Sequence, residues 1–251
     1  MKIACSSATF ANEMRAGDLT LLDWLDVCAN ELEVDGVVVG AAHLARTDDD
    51  YLAQMKKAAA DLGLTVAALE SEEPVDAAFA PGILATAVAL GAPVLVVRAP
   101  PAAADPSAWG AFTDALKTLA SAAKAANVTL GLRNVPESLC PAAADLPRVA
   151  KDVDSSWLRF AFDAATSDAP AGVLATSVIA TYTIEHLETF GTPGDPAARR
   201  LIARLARFRG FVTLASDDRT AAPGQYHRAL ERFAAERANA LSSSAFVSAV
   251  T

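Results

Sequence analysis

The sequence predicts an α/β fold: a single (β/α)8 TIM barrel filling residues 1–251 as one domain. Three observations lead to it. Eight short apolar runs recur at intervals of roughly thirty residues, most followed by a helical stretch, which is the rhythm of alternating strand and helix. The runs are continuously apolar, as in Val37–Val39 and Val94–Val97, the pattern of parallel strands buried on both faces. A chain of 251 residues, 53% apolar, is large enough for one core of the size usual for such a barrel.

The strand runs, in order, are KIACS from Lys2, DGVVVG from Asp35, TVAALES from Thr65, PVLVVRAP from Pro93, VTLGLRN from Val128, LRFAFD from Leu158, VIATYTIEH from Val178 and GFVTLAS from Gly210. Apolar stripes at helical spacing lie between them: Leu21, Leu25, Cys28 and Leu32; then Tyr51, Met55, Ala58 and Leu62; then Trp109, Phe112, Leu116 and Leu119. Asp105-Pro106 and Asp195-Pro196 mark two helix starts, because Asp caps free N–H groups and Pro at the first helical position loses no hydrogen bond. Only fourteen residues separate Asp163 from Val178, and Asp168-Ala169-Pro170 occupies part of them, so the sixth helix is expected to be truncated or 3₁₀-like. Tyr226, Leu230, Phe233, Ala234 and Leu241 belong to a last helix that closes the ring. Ser71–Asp76, Ala99–Asp105 and Gly191–Asp195 read as loops.

Composition narrows the partners. A net charge of −9 with no run of Lys or Arg speaks against nucleic acid or an anionic membrane and for a small solute. The opening MKIACSSATF lacks the apolar core of a signal peptide, and no stretch approaches a membrane span. Three cysteines, Cys5, Cys28 and Cys140, have no CxxC spacing and fit reduced thiols in a cytoplasmic protein, with Cys5 and Cys28 read as core packing. No GxGxxG or P-loop pattern occurs, so nicotinamide and nucleotide cofactors are not expected.

In a barrel of this class the active site is built from the C-terminal ends of the strands. The polar residues there are Ser6, Ser7, Thr9 and Glu13; His43; Glu70; Arg98; Arg133 and Asn134; Asp163; Thr183, Glu185 and His186; and Ser216, Asp217 and Asp218. Two guanidinium groups in one mouth repel unless something negative joins them, and Glu70 can be that group. Arg133 reads as a bidentate receptor for a carboxylate or phosphate, or as one half of an ion pair with Asp163. His43 reads as a pocket residue or as hydrogen-bonded packing. His186 beside Glu185 reads as a general-base pair or as a solvated loop. Ser6-Ser7 lacks the context of a nucleophile elbow.

Four segments, VDGVVVGAAHL at Val34–Leu44, AAADLGLTVAAL at Ala58–Leu69, ALGAPVLVV at Ala89–Val97 and AANVTLGLRN at Ala125–Asn134, resemble in order and spacing the xylose isomerase-like barrel superfamily. That superfamily holds sugar phosphate isomerases and epimerases, hydroxypyruvate isomerases, inosose dehydratases and endonuclease IV. The resemblance implies carbohydrate chemistry and a divalent metal held by a Glu ending strand five, an Asp ending strand six, a His on strand seven and a Glu ending strand eight, with the two Glu exchanging the substrate proton. In this sequence Arg133, followed by Asn134, stands at the first position, Asp163 at the second, Thr183 at the third with Glu185 and His186 after it, and Ala215 at the fourth. Arg can be neither ligand nor base, so the two-glutamate mechanism is not supported and no cofactor is expected. If a metal binds, Asp163, His186 and Asp217 are its expected ligands.

The reading is therefore a sugar phosphate isomerase/epimerase-like barrel, or a lyase-like relative, that acts on or binds a small polyhydroxylated or acidic metabolite. The alternative is a non-catalytic barrel that binds a metabolite or a partner. Glu70, His43, Asp163 and His186 are the candidate catalytic groups; Arg98, Arg133, Asn134, Thr183 and Ser6 are the candidate substrate contacts. A homo-oligomer is compatible with the sequence.

Overall fold

Eight parallel strands, in the order β1 to β8, form a closed barrel in which β8 returns to β1. They are β1 (Lys2–Ser6), β2 (Gly36–Gly40), β3 (Thr65–Pro74), β4 (Val94–Arg98), β5 (Thr129–Arg133), β6 (Leu158–Asp163), β7 (Ile179–Ile184) and β8 (Phe211–Leu214). Each falls within or over the apolar run expected of it. The computed structural model describes residues 2–75, 82–142, 145–163, 179–184 and 208–215, with scattered positions between 228 and 242.

The helices are α1 (Ala11–Ala16), α2 (Leu21–Asp26), α3 (Asp49–Asp61), α4 (Gly82–Leu90), α5 (Ser107–Ala126) and α6 (Leu146–Val153). Local chemistry sets their starts. Thr20 and Asp23 form a reciprocal capping box on α2, and the Asp48 carboxylate accepts the Tyr51 N–H at the start of α3. Asp105 caps α5 as expected: its carboxylate accepts the Ser107 N–H at 2.8 Å across the intervening Pro106. This bond holds the Asp105 carboxyl below the usual carboxylate range.

Leu21, Leu25, Cys28 and Leu32 are all buried, although the stripe leaves α2 at Val27 and continues through a π turn over Val27–Glu31. Phe112, Leu116 and Leu119 line the buried face of α5, with Trp109 at its edge. Two details differ from expectation. On α3 the centre of the buried face is Leu52, Met55 and Ala59, with Tyr51, Ala58 and Leu62 at its margin, because the four expected residues trace only one side of the stripe. The segment Ser71–Pro74, expected as loop, continues β3, whose register against β4 slips between Glu70 and Pro74. Leu230 and Phe233 pack on the core, whereas Ala234 is exposed. The truncated helix expected between Asp163 and Val178, Gly191–Asp195 and Asp195-Pro196 lie outside the described residues.

The core has two parts. The larger lies between strands and helices and contains Cys5, Val37, Val39, Leu69, Leu95, Val97, Leu130, Leu132, Val212 and Leu214 with the helix stripes. The smaller is inside the barrel and holds Ala4, Val38, Ala68, Val96 and Ala161. Alternate residues of a strand face opposite sides, so each strand contributes to both. Space inside is shared by size: a Cβ on Gly131 would stand 3.2 Å from Val94 Cγ1, and one on Gly36 would stand 2.5 Å from the Thr65 carbonyl oxygen and 2.7 Å from the Phe211 ring. Phe211 thus closes the N-terminal end because Gly36 leaves it room.

All three cysteines are buried free thiols. Burial, reinforced by a hydrogen bond with Cys5, pushes the Cys28 thiol up, and burial beside Asp145 pushes Cys140 up to about 12. Both are poor nucleophiles at neutral pH. Among the described residues, no helix is long and apolar enough to cross a membrane.

Two glycine substitutions test this packing. Gly36→Ala is expected to destabilise the barrel by roughly 1–3 kcal/mol through overpacking. Gly110→Ala, on α5 with nothing near its would-be Cβ, is expected to stabilise by about 0.5–1 kcal/mol from helix propensity. Urea unfolding midpoints of the two variants should move in opposite directions.

Candidate functional site at the C-terminal mouth

Strand alternation carries the small interior layer directly into a polar one. Glu70 follows Ala68 by two residues, Arg98 follows Val96, and Arg133 follows Gly131, so all three stand on the inward side at the C-terminal ends of β3, β4 and β5. Arg98 pairs in register with Arg133 across β4 and β5, which brings the two guanidinium groups to one level.

Glu70 joins them. Its Oε1 accepts a hydrogen bond from Arg98 Nη2 at 3.2 Å and a second from Arg133 Nη1. The three differ in depth: the side chains of Arg133 and Glu70 are 6% and 9% exposed, and that of Arg98 is 28% exposed. Glu72, more than half exposed, stands 3.8 Å from Arg98 on its outer side.

Burial acts to push the Glu70 carboxyl up, but the charges of Arg133 and then Arg98, with a hydrogen bond from each, outweigh it and hold the carboxyl below its ordinary range. A carboxylate so held is a weak proton acceptor, which counts against Glu70 as a catalytic base. The expected meeting of both arginines on Glu70 is what the geometry shows. The Asp163 side chain, the other partner considered for Arg133, lies outside the described residues.

A second polar group sits beside it, across β1 and β2. Ser7, the residue after β1, is fully buried, and its Oγ accepts the Gly40 N–H at 2.8 Å while standing 2.7 Å from His43 Nδ1. His43 ends the 3₁₀ turn Ala41–His43 that follows β2 and is half-buried. Gly40 leaves this approach room: a Cβ would stand 3.0 Å from His43 Nδ1 and 3.3 Å from Ser7 Oγ, so either side chain would have to give by a few tenths of an ångström. Being buried with its oxygen engaged, Ser7 is not placed as a nucleophile.

Ser6, a candidate substrate contact, instead caps the turn Ser7–Phe10 by accepting the Ala8 N–H. Asn134 is buried at the end of β5. Asp163 ends β6 and its backbone pairs with Thr183 on β7, which pairs in turn with Thr213; the side chains of Asp163 and Thr183, and all of His186 and Asp217, lie outside the described residues. Two contacts of this layer carry no local sequence signal. Ser7 is a strand-end candidate, but nothing local marks it as the partner of a residue 36 positions on. Glu72 reads as loop in the sequence because its strand neighbours are polar.

The fold and this mouth define a class, a closed parallel (β/α)8 barrel with a polar C-terminal rim. The sequence model of the xylose isomerase-like TIM barrel family matches residues 28–225, and the chain belongs to that family. Solved structures of the same fold include an L-ribulose 3-epimerase, with TM-score 0.76 and 19% identity over 98% of both chains. A D-psicose 3-epimerase from Clostridium cellulolyticum H10 has TM-score 0.73 and 17% identity, covering 98% of this chain and 99% of its own. The IOLI protein, solved with a binding zinc atom, has TM-score 0.71 and 14% identity, covering 97% and 99%. No curated protein matches the chain.

Glu70→Gln tests the ion-pair layer. Leaving two guanidinium groups without their shared carboxylate is expected to cost about 3–5 kcal/mol in urea unfolding at neutral pH. Because the folded Glu70 is held below its unfolded value, its contribution is present above the unfolded value, near 4, and is lost as pH falls through the folded one. The gap between parent and variant should therefore narrow in acid.

Proposed function

We propose that this barrel binds a small acidic or polyhydroxylated metabolite at its C-terminal mouth, and that it does so through arginine in place of the divalent metal that its family resemblance implies. The observation that carries this reading is Arg98. It shares Glu70 with the buried Arg133, its own side chain is the more exposed, and its buried Nε–H finds no hydrogen-bond partner among the described residues. Its remaining counter-charge, Glu72, is a solvated contact of the kind worth only about 0.2–1 kcal/mol. A ligand carboxylate or phosphate displaces such a contact and gains the planar fork. Arg133, which the sequence offered as the receptor, is committed to Glu70 and serves to hold the layer.

Among the described residues, the donors present do not fit a divalent metal. Arg133 occupies the strand-five position with a fixed positive charge, and Ala215, buried after β8, offers no donor. Among the described residues no three His, Cys, Asp or Glu side chains stand together as a ligand set. No step is therefore assigned to a metal. Among the described residues, the two-glutamate proton exchange that the family resemblance implies finds no counterpart, since Glu70 is held as a carboxylate between two cations. This favours a binding barrel of isomerase/epimerase ancestry over an active epimerase. The negative net charge supports a small-molecule partner over nucleic acid, and three buried free thiols support a reducing, cytoplasmic setting.

Thermal midpoints measured with inorganic phosphate and with D-gluconate test the reading. Both anions should stabilise the parent and not Arg98→Ala, and Glu72→Gln should bind them about 2- to 5-fold more tightly, the equivalent of one exposed pair. Equal stabilisation of parent and Arg98→Ala would remove the arginine reading.

Metal analysis after dialysis is expected to find far less than one equivalent of Mn, Zn, Co or Mg, and assays on ketoses, aldoses and their phosphates should find at most feeble turnover with or without added metal. Stoichiometric metal, or robust turnover that depends on Asp163, would restore the family mechanism.

A further inference from the structure

We infer, on the arginine reading of the mouth proposed above, that the group Arg98 receives is the carboxylate of a sugar acid, a planar monoanion, in preference to the phosphate of a sugar phosphate. Two features select it: where the neighbouring carboxylates are anchored, and which edge of the guanidinium has hydrogen bonds left to give.

Between the pairs Glu70–Val96 and Pro74–Arg98, β3 advances by four residues while β4 advances by two. The surplus bulges outward as an arch that carries Glu72. Both feet of this arch are tied to Arg98. At one foot the Glu70 carboxylate accepts from Arg98 Nη2 at 3.2 Å, and at the other the Val75 N–H donates to the Arg98 carbonyl at 2.9 Å. Glu72 is more than half exposed and 3.8 Å from Nη2, so a ligand displaces its carboxylate from contact, but the anchored arch keeps its charge close by. Glu70 stays as well, because it is buried and also bonded to Arg133. Arg133 is itself buried, which leaves Arg98 as the guanidinium of this layer that meets the ligand. An anion on Arg98 therefore lies beside two carboxylates that remain. The second charge of a phosphate is repelled by both, whereas a carboxylate brings only one.

The hydrogen bonds left on Arg98 suit the same ligand. Nη2 carries two hydrogens, of which one goes to Glu70. Nη2 shares an edge of the planar guanidinium with Nε–H, which is buried and has no partner among the described residues. A buried donor left unpaired is costly, so a ligand that reaches it gains more than a surface contact would give. A carboxylate has two oxygens in one plane and matches such an edge with two parallel bonds. A phosphate placed there holds further oxygens out of that plane, toward the flanking carboxylates.

A pair of six-carbon ligands tests the preference: D-gluconate, a polyol ending in a carboxylate, and D-glucitol 6-phosphate, a polyol ending in a phosphate. Calorimetric titration of the intact chain is run at about pH 8, where the phosphate is a dianion, with neutral D-glucitol as the uncharged control. D-gluconate is expected to bind about 3- to 10-fold more tightly than D-glucitol 6-phosphate, the scale of one like charge met across partly solvated protein. Glu72→Gln should narrow this gap by helping the phosphate more than the carboxylate. Arg98→Lys, which keeps the charge but not the planar edge, should narrow it by weakening D-gluconate more than the phosphate. The preference is overturned if the parent binds the phosphate as tightly as D-gluconate or more tightly, or if the gap is unchanged in both variants; a gap narrowed in either supports it. A parent that binds D-gluconate no more tightly than D-glucitol fails at the arginine reading itself, and the preference falls with it.

Discussion

The mouth of this barrel is organised by one carboxylate shared between two guanidinium groups. Arg98 and Arg133 are level on neighbouring strands because parallel registry puts them there, and their like charges would repel at that distance without Glu70. The position of Glu70 depends in turn on β3, whose register slips against β4 just beyond it. Such an irregularity re-aims the strand end and carries Glu72 out to the solvent side of Arg98. The result is graded: a buried pair that fixes the layer, a half-buried arginine, and a solvated carboxylate at the rim.

This gradient separates two tasks that one residue type might otherwise share. A buried guanidinium bonded to a buried carboxylate is structural, since removing either leaves an uncompensated charge out of water. An exposed guanidinium with a weak partner can exchange that partner for a ligand. The same pairing holds Glu70 as a carboxylate and so makes it a weaker proton acceptor. In the isomerases of this family resemblance, a metal supplies the positive charge and carboxylates move the proton. In the reading proposed above, the guanidinium groups of β4 and β5 supply that charge.

Below the polar layer, the barrel interior is filled by pairing small with large. Ala4, Ala68 and Ala161 lie beside Val38 and Val96, Gly131 faces Val94, and Gly36 faces Phe211. The same economy recurs at Gly40, where the missing Cβ admits the His43 ring and lets its backbone N–H reach Ser7. Glycine on these strands thus serves close approach between neighbours: a side chain at Gly36 would collide, and one at Gly40 or Gly131 would be tight.

Fold was largely legible in the sequence because strand burial, helix stripes and caps are local patterns: continuous valine runs, Leu21–Leu25–Cys28–Leu32, and Asp105 before Pro106 all report short-range physics. Where the reading slipped, as at Ser71–Pro74, polar residues in a strand that extends past the barrel rim carry no apolar signal. The candidates at the strand ends could also be named, and Glu70 could be suggested as the link between two arginines from charge alone. What the sequence by itself determined was the barrel, its strand order and the inventory of polar groups at its mouth. Which of those groups meet was decided only by the tertiary structure: Arg133 and Glu70 are 63 residues apart and Ser7 and His43 are 36 apart, and contacts of that span depend on barrel closure and register, which place the strand ends side by side.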